Sequence, residues 1–467
     1  MSLKAGFDGR AIFWRNLLGS YCVGLDQFAP ISVVACSDHG LDLDLIHAET
    51  GIRFYSLEEK TSQRMVPLAH QEESETENAI LRVLERLPKD KFAIACPVSS
   101  RLMDEYVRET GIRAACPPFR VTTWLAEKRN WLSCLAKLGL PSLPSCWIYL
   151  SQATFDEIRS AMGERFVAQL SLGVSGSGTA IIGSQADYER AAARFGNAPV
   201  RIAPFVEGPS LVISGLVLKS GTAVGYPSVQ IVGREECGAP PAAYCGNDFN
   251  VTSQLPAALI RDVQEQCRRI GEWMGSLGFY GTFGLDFVVS ADQQTAYATD
   301  LNPRWLGSTA FSAQAEQLAG RIPLAALDLA AQLGVISEAE ALRLGEQCSE
   351  PLHGSQLVLY AKGPDWSEVR TTIPAGIWKT RGGDSSFIRD GVRLSDCSSE
   401  EEYLVTGGVP RVGLRIETGS HLLRIYSRQA ALSDDVSDLQ PWARAACDSV
   451  YNSIALEAGL ATTSSPA

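Results

Sequence analysis

The sequence predicts a mixed protein, part α/β and part α+β, built from a small N-terminal βα unit, a central α+β unit and a β-rich C-terminal unit. Three observations carry this. Short apolar runs alternate with helical patterns over the first 120 or so residues, as in a small parallel-sheet domain. From Thr122 to about residue 345, amphipathic helices combine with a glycine-rich hairpin and apolar ribbons, a mixture that favours antiparallel pairing over repeated βαβ units. Beyond Ser349 the chain turns to short strand patterns punctuated by Gly and Pro. A length of 467 residues agrees with about three domains at roughly 150 residues each. The expected boundaries are 1–120, 121–348 and 349–467.

In the first unit, residues 31–35 (ISVVA) and 92–95 (FAIA) read as buried strands, each entering a turn-prone segment. An acidic helical stretch, 71–87, lies between them. The second unit opens on one helix whose apolar face is Leu125, Leu132, Leu135 and Leu138, with Glu127, Lys128 and Arg129 off that face. Gly139-Leu140-Pro141 ends it. There follow a strand at 165–170, the glycine-rich loop 173–178, a strand at 179–182, a helix at 185–195 and a strand at 200–206. An apolar ribbon (211–218, 223–232), a long helix (256–277) and two strands (283–289, 295–301) complete the pattern before further helices. In the third unit, strands are expected at 356–360, 376–379, 413–417 and 422–426, a helix at 442–460 and a frayed tail at 461–467.

Composition narrows the function. Hydrophobic residues at 45% and charged residues at 20% exclude disorder as the main state. Lys plus Arg number 41 against 53 Asp plus Glu, a net charge of −12, the opposite of what a phosphate-backbone binder needs. Nucleic acid is therefore not an expected partner. The start MSLKAGFDGR lacks a signal-peptide core, and no run approaches the ~18 apolar residues of a bilayer span. A cytoplasmic protein without a membrane partner is expected. Twelve dispersed cysteines without a C-x-x-C pair read as reduced thiols, and five histidines without helical ligand spacing argue against a His-based metal centre.

The chemistry concentrates in Gly284-Leu285-Asp286-Phe287 and Thr299-Asp300-Leu301-Asn302-Pro303-Arg304. On a strand, Asp300 and Asn302 share a face, and a neighbouring strand can bring Asp286 beside them. Two carboxylates and an amide carbonyl are hard oxygen ligands of the kind Mg²⁺ selects, with phosphate and water completing the octahedron. Arg304 on the same face would meet a phosphate or carboxylate. The loop Gly173-Val174-Ser175-Gly176-Ser177-Gly178 offers backbone N–H groups to phosphate oxygens. It leads into a strand rather than a helix, which argues against a P-loop or dinucleotide fold; taken alone, it fits a plain flexible hairpin equally well. Trp305 fits a cavity wall or the core, and Gly307, Ser308 and Thr309 are cavity candidates.

The order of Lys128 on its helix, the Gly-rich hairpin at 165–182, Phe205-Val206-Glu207-Gly208, Asp286 and Asp300-Leu301-Asn302-Pro303-Arg304 resembles the ATP-grasp superfamily over about residues 100 to 330. That resemblance implies ATP between two α+β lobes, with Asp286, Asp300 and Asn302 holding Mg²⁺ (Mn²⁺ as an alternative) and Lys128 on phosphate. Loop 173–178, with Ser175, Gly176, Ser177 and Gly178, would close over the phosphates. The Pro204 carbonyl and the Val206 N–H, flanking Phe205, would take adenine. Three positions depart from the family pattern: Gln169 stands where a second phosphate-binding lysine is expected, Ala203 where an acid opens the hinge, and Ser210 where a glutamate binds ribose. Glu207 or Ser210 is left for the ribose.

The reaction the resemblance implies is ATP-dependent ligation of a small-molecule carboxylate to an amine through an acyl phosphate. Arg304 and Arg234 are the cations expected over the developing charge, although Arg234 fits an ordinary surface position as well. The β-rich C-terminal region resembles, weakly, the corresponding lobe of biotin-carboxylase-like members, which implies acceptor recognition or a homodimer contact. Two alternatives stand beside the ligase: a biotin-carboxylase-like enzyme that phosphorylates bicarbonate, and an ATP-binding regulatory protein without turnover.

Overall fold

A computed structural model describes residues 3–15, 18–64, 75–98, 100–173, 176 and 178–458. Its first unit is a five-stranded parallel sheet in the order Arg53–Ser56, Ile31–Cys36, Ala11–Arg15, Phe92–Ala95, Ala114–Ala115. The two expected strands flank a central one, Ala11–Arg15, that composition alone left unmarked. Its Ile12, Phe13 and Trp14 are fully buried, because a parallel strand covered on both faces hides every side chain. The acidic helix spans Glu75–Leu84; the earlier part of the expected stretch lies outside the described residues.

The single helix expected from Thr122 is two, Phe119–Ala126 and Lys128–Lys137, because Glu127 is extended (φ −79°, ψ 117°). The break changes which face carries what. Leu125, Trp131 and Leu135 fill the core, and Lys128 is itself buried at 4% exposure rather than turned outward.

Next comes a four-stranded antiparallel lobe, ordered Cys146–Ile148, Val200–Pro204, Phe166–Leu170, Thr179–Ile182. Helices Phe155–Met162 and Gln185–Phe195 close one side through Phe155, Ile158, Tyr188 and Phe195. Thr154 and Glu157 cap the first of these reciprocally, satisfying two otherwise orphaned N–H groups.

Most of the rest hangs on one eleven-stranded sheet, beside a small sheet of Leu456–Ala458, Trp366–Val369, Arg415–Glu417 and Gln63–Arg64. The large sheet runs Ala296–Asn302, Gly281–Val289, Ser210–Leu218, Ser228–Val232, Tyr244–Asp248, then Ser355–Tyr360, His421–Ser427, Glu402–Thr406, Gly376–Arg381 and Asp384–Arg389, with Gly221–Val224 attached to Ser210–Leu218. The strand Tyr244–Asp248 pairs with Ser355–Tyr360 across Gly246–Leu357, Asn247–Gln356 and Asp248–Ser355. The central and C-terminal regions therefore share backbone hydrogen bonds and one core, which reaches from Leu125 to Ile454. The closing helix is Pro441–Ser453. A short strand, Leu456–Ala458, follows it and pairs with Trp366–Val369, so the expected helix stops earlier; the tail beyond 458 lies outside the described residues. No helix among the described residues is long and apolar enough to cross a membrane. The twelve cysteines are free thiols, all buried except Cys116 and Cys146.

A buried polar clamp ties the first unit to the last. The Asp42 carboxylate accepts the N–H groups of Gly407 (3.0 Å), Gly408 (3.2 Å) and Val409 (3.1 Å). Arg64 forks onto Glu58 (2.6 and 2.8 Å) and donates to the carbonyls of Gly408 and Leu422. Asp38, beside them, accepts only the Gly19 N–H, through Oδ1, while its Oδ2 is buried without a partner among the described residues. Burial, reinforced by Asp42 and Glu58, pushes the Asp38 carboxyl up to about 7. An unfolded Asp titrates near ~3.9, so between there and about 7 the folded state holds a proton that the unfolded chain has lost. Stability falls as pH rises through that window. Asp38→Asn is expected to remove this dependence, so that melting scans place the variant progressively above the wild type from pH 5 to pH 8; parallel curves would contradict it.

Candidate active site

Two strands build the acidic patch. In the hairpin Gly281–Val289 and Ala296–Asn302, Asp286 faces Asp300 directly and Gly284 faces Asn302. The register then slips, placing Phe287 opposite Ala298, so Thr299 is the extra residue of a bulge that re-aims the ladder. Its hydroxyl donates to the Asp286 carbonyl at 3.2 Å. Leu285, Phe287 and Leu301 turn to the core, leaving the polar side chains on the other face.

Four of the side chains there are tied to one another and to their neighbours. Asp286 accepts Gln230 Nε2 at 2.8 Å and Asn302 Nδ2 at 3.1 Å. Asn302 Oδ1 accepts Arg304 Nη2 at 3.0 Å, and Arg304 Nη1 donates to the Trp305 carbonyl at 3.0 Å. Lys128 Nζ lies 2.9 Å from Asp300 Oδ1. Burial and the facing charge of Asp300 push the Asp286 carboxyl up to about 7, against the Asn302 amide, Lys128 and Arg304. Like charges set opposite on two strands repel, and a divalent cation would relieve them. The donor set of Asp286, Asp300 and Asn302 is all oxygen, which fits Mg²⁺. Among the described residues no group of three His, Cys, Asp or Glu side chains is placed to hold a metal, so such an ion would depend on phosphate and water for its remaining ligands.

The antiparallel lobe forms the other wall. Lys128 belongs to both: its backbone N–H donates to the Ser171 carbonyl at 3.1 Å while its side chain reaches Asp300. Gln169 sits opposite Arg201 in register, accepting Arg201 Nη1 at 3.1 Å and approaching Thr179 Oγ1 at 3.5 Å. In the glycine-rich loop, Gly176 has φ +82° and a Cβ there would lie 2.0 Å from the Ala242 carbonyl oxygen. Only glycine lets the loop tip lie that close to the central region. Gly178 packs against Gly173 at the loop base. Ser175 and Ser177 lie outside the described residues.

At the hinge, Pro204 ends its strand and the Phe205 N–H donates to the Arg165 carbonyl at 3.1 Å. The Arg165 guanidinium stacks 4.0 Å over the Phe205 ring and pairs with Glu207 at 2.7 Å. Val206 follows, and Ser210 opens the next strand opposite Val288. Glu207 is thus held by Arg165 on a largely exposed face, 67% of its side chain being accessible.

Arg234 does not join the cluster. It lies beyond the end of its ribbon strand, and its fork donates to the carbonyls of Ser437 (2.6 Å) and Val436 (2.8 Å) in the C-terminal region. Trp305 is core: its indole N–H donates to Asp328 at 3.2 Å and its ring meets Trp14 at 4.9 Å. Gly307 does face polar groups, its carbonyl accepting Tyr21 Oη (3.1 Å) and Arg424 Nη1 (2.8 Å). Sequence reasoning missed Gln230, Arg201, Tyr21 and Arg424. For Arg201, Gln230 and Arg424 a signal existed, since each is a polar residue inside an apolar strand (V-R-I-A, V-Q-I-V and L-L-R-I).

Residues 125–308 match the family model of an ATP-grasp domain. That stretch is an ATP-grasp domain, and the chain takes the fold of solved ATP-grasp structures. The Rhizobium etli pyruvate carboxylase, solved with acetyl coenzyme A, superposes with a TM-score of 0.60 at 14% identity over 96% of this chain, which spans only 40% of that protein. The biotin carboxylase domain of Hydrogenobacter thermophilus 2-oxoglutarate carboxylase, solved with MgADP, ADP and bicarbonate, gives 0.57 at 13% identity over 96% of this chain and 90% of that one. The N5-carboxyaminoimidazole synthase of Aspergillus clavatus, solved with ADP and 5-aminoimidazole ribonucleotide, gives 0.56 at 12% over 96% and 100%. No curated protein matches the sequence.

Proposed function

We propose that the chain is an ATP- and Mg²⁺-dependent ligase that activates a small-molecule carboxylate as its acyl phosphate and joins it to an amine. The observation that carries this is the facing pair Asp286 and Asp300, with Asn302 beside them, set between Lys128 and Arg304. Asp286, Asp300 and Asn302 would hold a Mg²⁺, which would supply positive charge to the transferring phosphoryl group. The chain's own residues do the rest. Lys128, anchored by its N–H to the lobe, orients a phosphate on the hairpin side. Arg304, held by Asn302 and the Trp305 carbonyl, turns its remaining N–H groups to the charge of the acyl phosphate. The hinge 204–206 takes adenine, and the Arg165 pairing of Glu207 favours Ser210 for the ribose.

A second reading, phosphorylation of bicarbonate, draws support from the likeness to biotin carboxylase domains. One experiment separates the two. Folded protein incubated with MgATP, a panel of carboxylic acids and hydroxylamine is expected to release ADP and trap one acid as its hydroxamate. ADP release that needs bicarbonate and rises with free biotin would establish the second reading, and no ADP with any acid or with bicarbonate would count against both.

A further inference from the structure

Gln169 brings no charge to the lobe wall of the cleft, but the residue paired with it does. Arg201 lies directly opposite Gln169 on the adjoining antiparallel strand and donates Nη1 to Gln169 Oε1 at 3.1 Å. Arg201 is only 2% exposed, and its Nε is buried without a hydrogen-bond partner among the described residues. No carboxylate among them lies within ion-pair distance of it; the one acid whose charge favours its cationic form is Asp300, the residue held by Lys128. A guanidinium does not give up its proton in such a place, so the fold carries a buried cation without a local counter-charge. Burying a charge in this way is costly unless an anion completes the site.

Of the glycine-rich loop that follows Gln169, Gly173, Gly176 and Gly178 are described. Its base is closed by the Leu170 N–H donating to the Gly178 carbonyl at 2.8 Å, and its tip reaches the backbone at Ala242. Lys128, itself buried and paired with Asp300, brings a second cation to the same acid.

We infer that Arg201 is a nucleotide-phosphate contact of this chain, supplying from the neighbouring strand the positive charge that Gln169 lacks, and that Gln169 is a positioning residue that fixes the guanidinium fork. The inference rests on the nucleotide reading of the site. Arg suits the task because its planar fork can offer two N–H groups to one phosphate while keeping a third on Gln169.

The test is binding of MgATP, of MgADP and of adenosine by calorimetry, with thermal melting of each ligand-free protein. Arg201→Met is expected to weaken MgATP and MgADP by about tenfold or more and to leave adenosine unchanged. The ligand-free variant should melt no lower than the wild type, since an uncompensated charge has been removed. Gln169→Lys in the Arg201→Met background should restore most of the MgATP affinity, and this pair also serves if Arg201→Met alone fails to fold. Wild-type affinity for MgATP in folded Arg201→Met, or an equal loss for adenosine, would overturn the inference. A folded wild type that binds neither nucleotide nor adenosine would instead overturn the nucleotide reading itself.

Discussion

Asp300→Asn is expected to lower ADP release by about 10²–10³-fold, the range seen when one preorganised electrostatic group is lost, and to destabilise the protein in the same stroke. The two effects have separate causes. Turnover falls because the facing pair with Asp286 loses one of its two carboxylates. Stability falls because Lys128 is left as a buried ammonium without its partner 2.9 Å away, at a cost of about 3 kcal/mol. Lys128→Met added to Asp300→Asn should recover most of the stability and none of the turnover. Urea midpoints and ADP release on the same preparations check both. Turnover near the wild-type rate in Asp300→Asn would remove Asp300 from the reaction.

The second large effect lies far from the chemistry. Asp42→Ala leaves the N–H groups of Gly407, Gly408 and Val409 buried without an acceptor. The two glycines adopt positive φ (71° and 95°), which turns their N–H groups toward one carboxylate in the manner of an anion-binding nest. Each orphaned donor costs about 1–3 kcal/mol, so the loss should amount to several kcal/mol. It should appear as a lowered urea midpoint and as earlier proteolytic release of the N-terminal unit. Asp42→Asn retains one acceptor oxygen and is expected to fall between the two. An unchanged midpoint in Asp42→Ala would show that water satisfies those groups.

What could be read beforehand follows from how local each signal is. The hairpin carrying Asp286, Asp300 and Asn302 was legible because period-two alternation sets side chains on one face, and the glycine loop because Gly punctuates the pattern. The bulge at Thr299 was not, since register depends on both strands at once. One continuous helix would turn Lys128 away from the apolar face; the break at Glu127 turns it toward Asp300. Arg234 sat a few residues beyond Gln230 in sequence, yet a chain leaving a strand end is free to turn, and its fork went to Val436 and Ser437. Arg201 is not legible beside Gln169, because cross-strand pairing does not follow from sequence order.

The pairing of Gly246, Asn247 and Asp248 with Leu357, Gln356 and Ser355 bears on how the molecule moves. A sheet is stiff along its hydrogen-bond ladder, so the acidic hairpin at one edge and the strands around Arg424 on the far side of that seam travel together as one beam. The lobe from Cys146 to Pro204 shares no ladder with that beam and meets it through separate contacts: the Lys128 N–H on the Ser171 carbonyl, Gly176 against Ala242, and the crossing at Gly208, where a Cβ would strike the Val289 carbonyl oxygen. Relative motion of the two walls of the cleft therefore falls to the lobe that carries Arg201, while the ladder holds Asp286 and the C-terminal strands together.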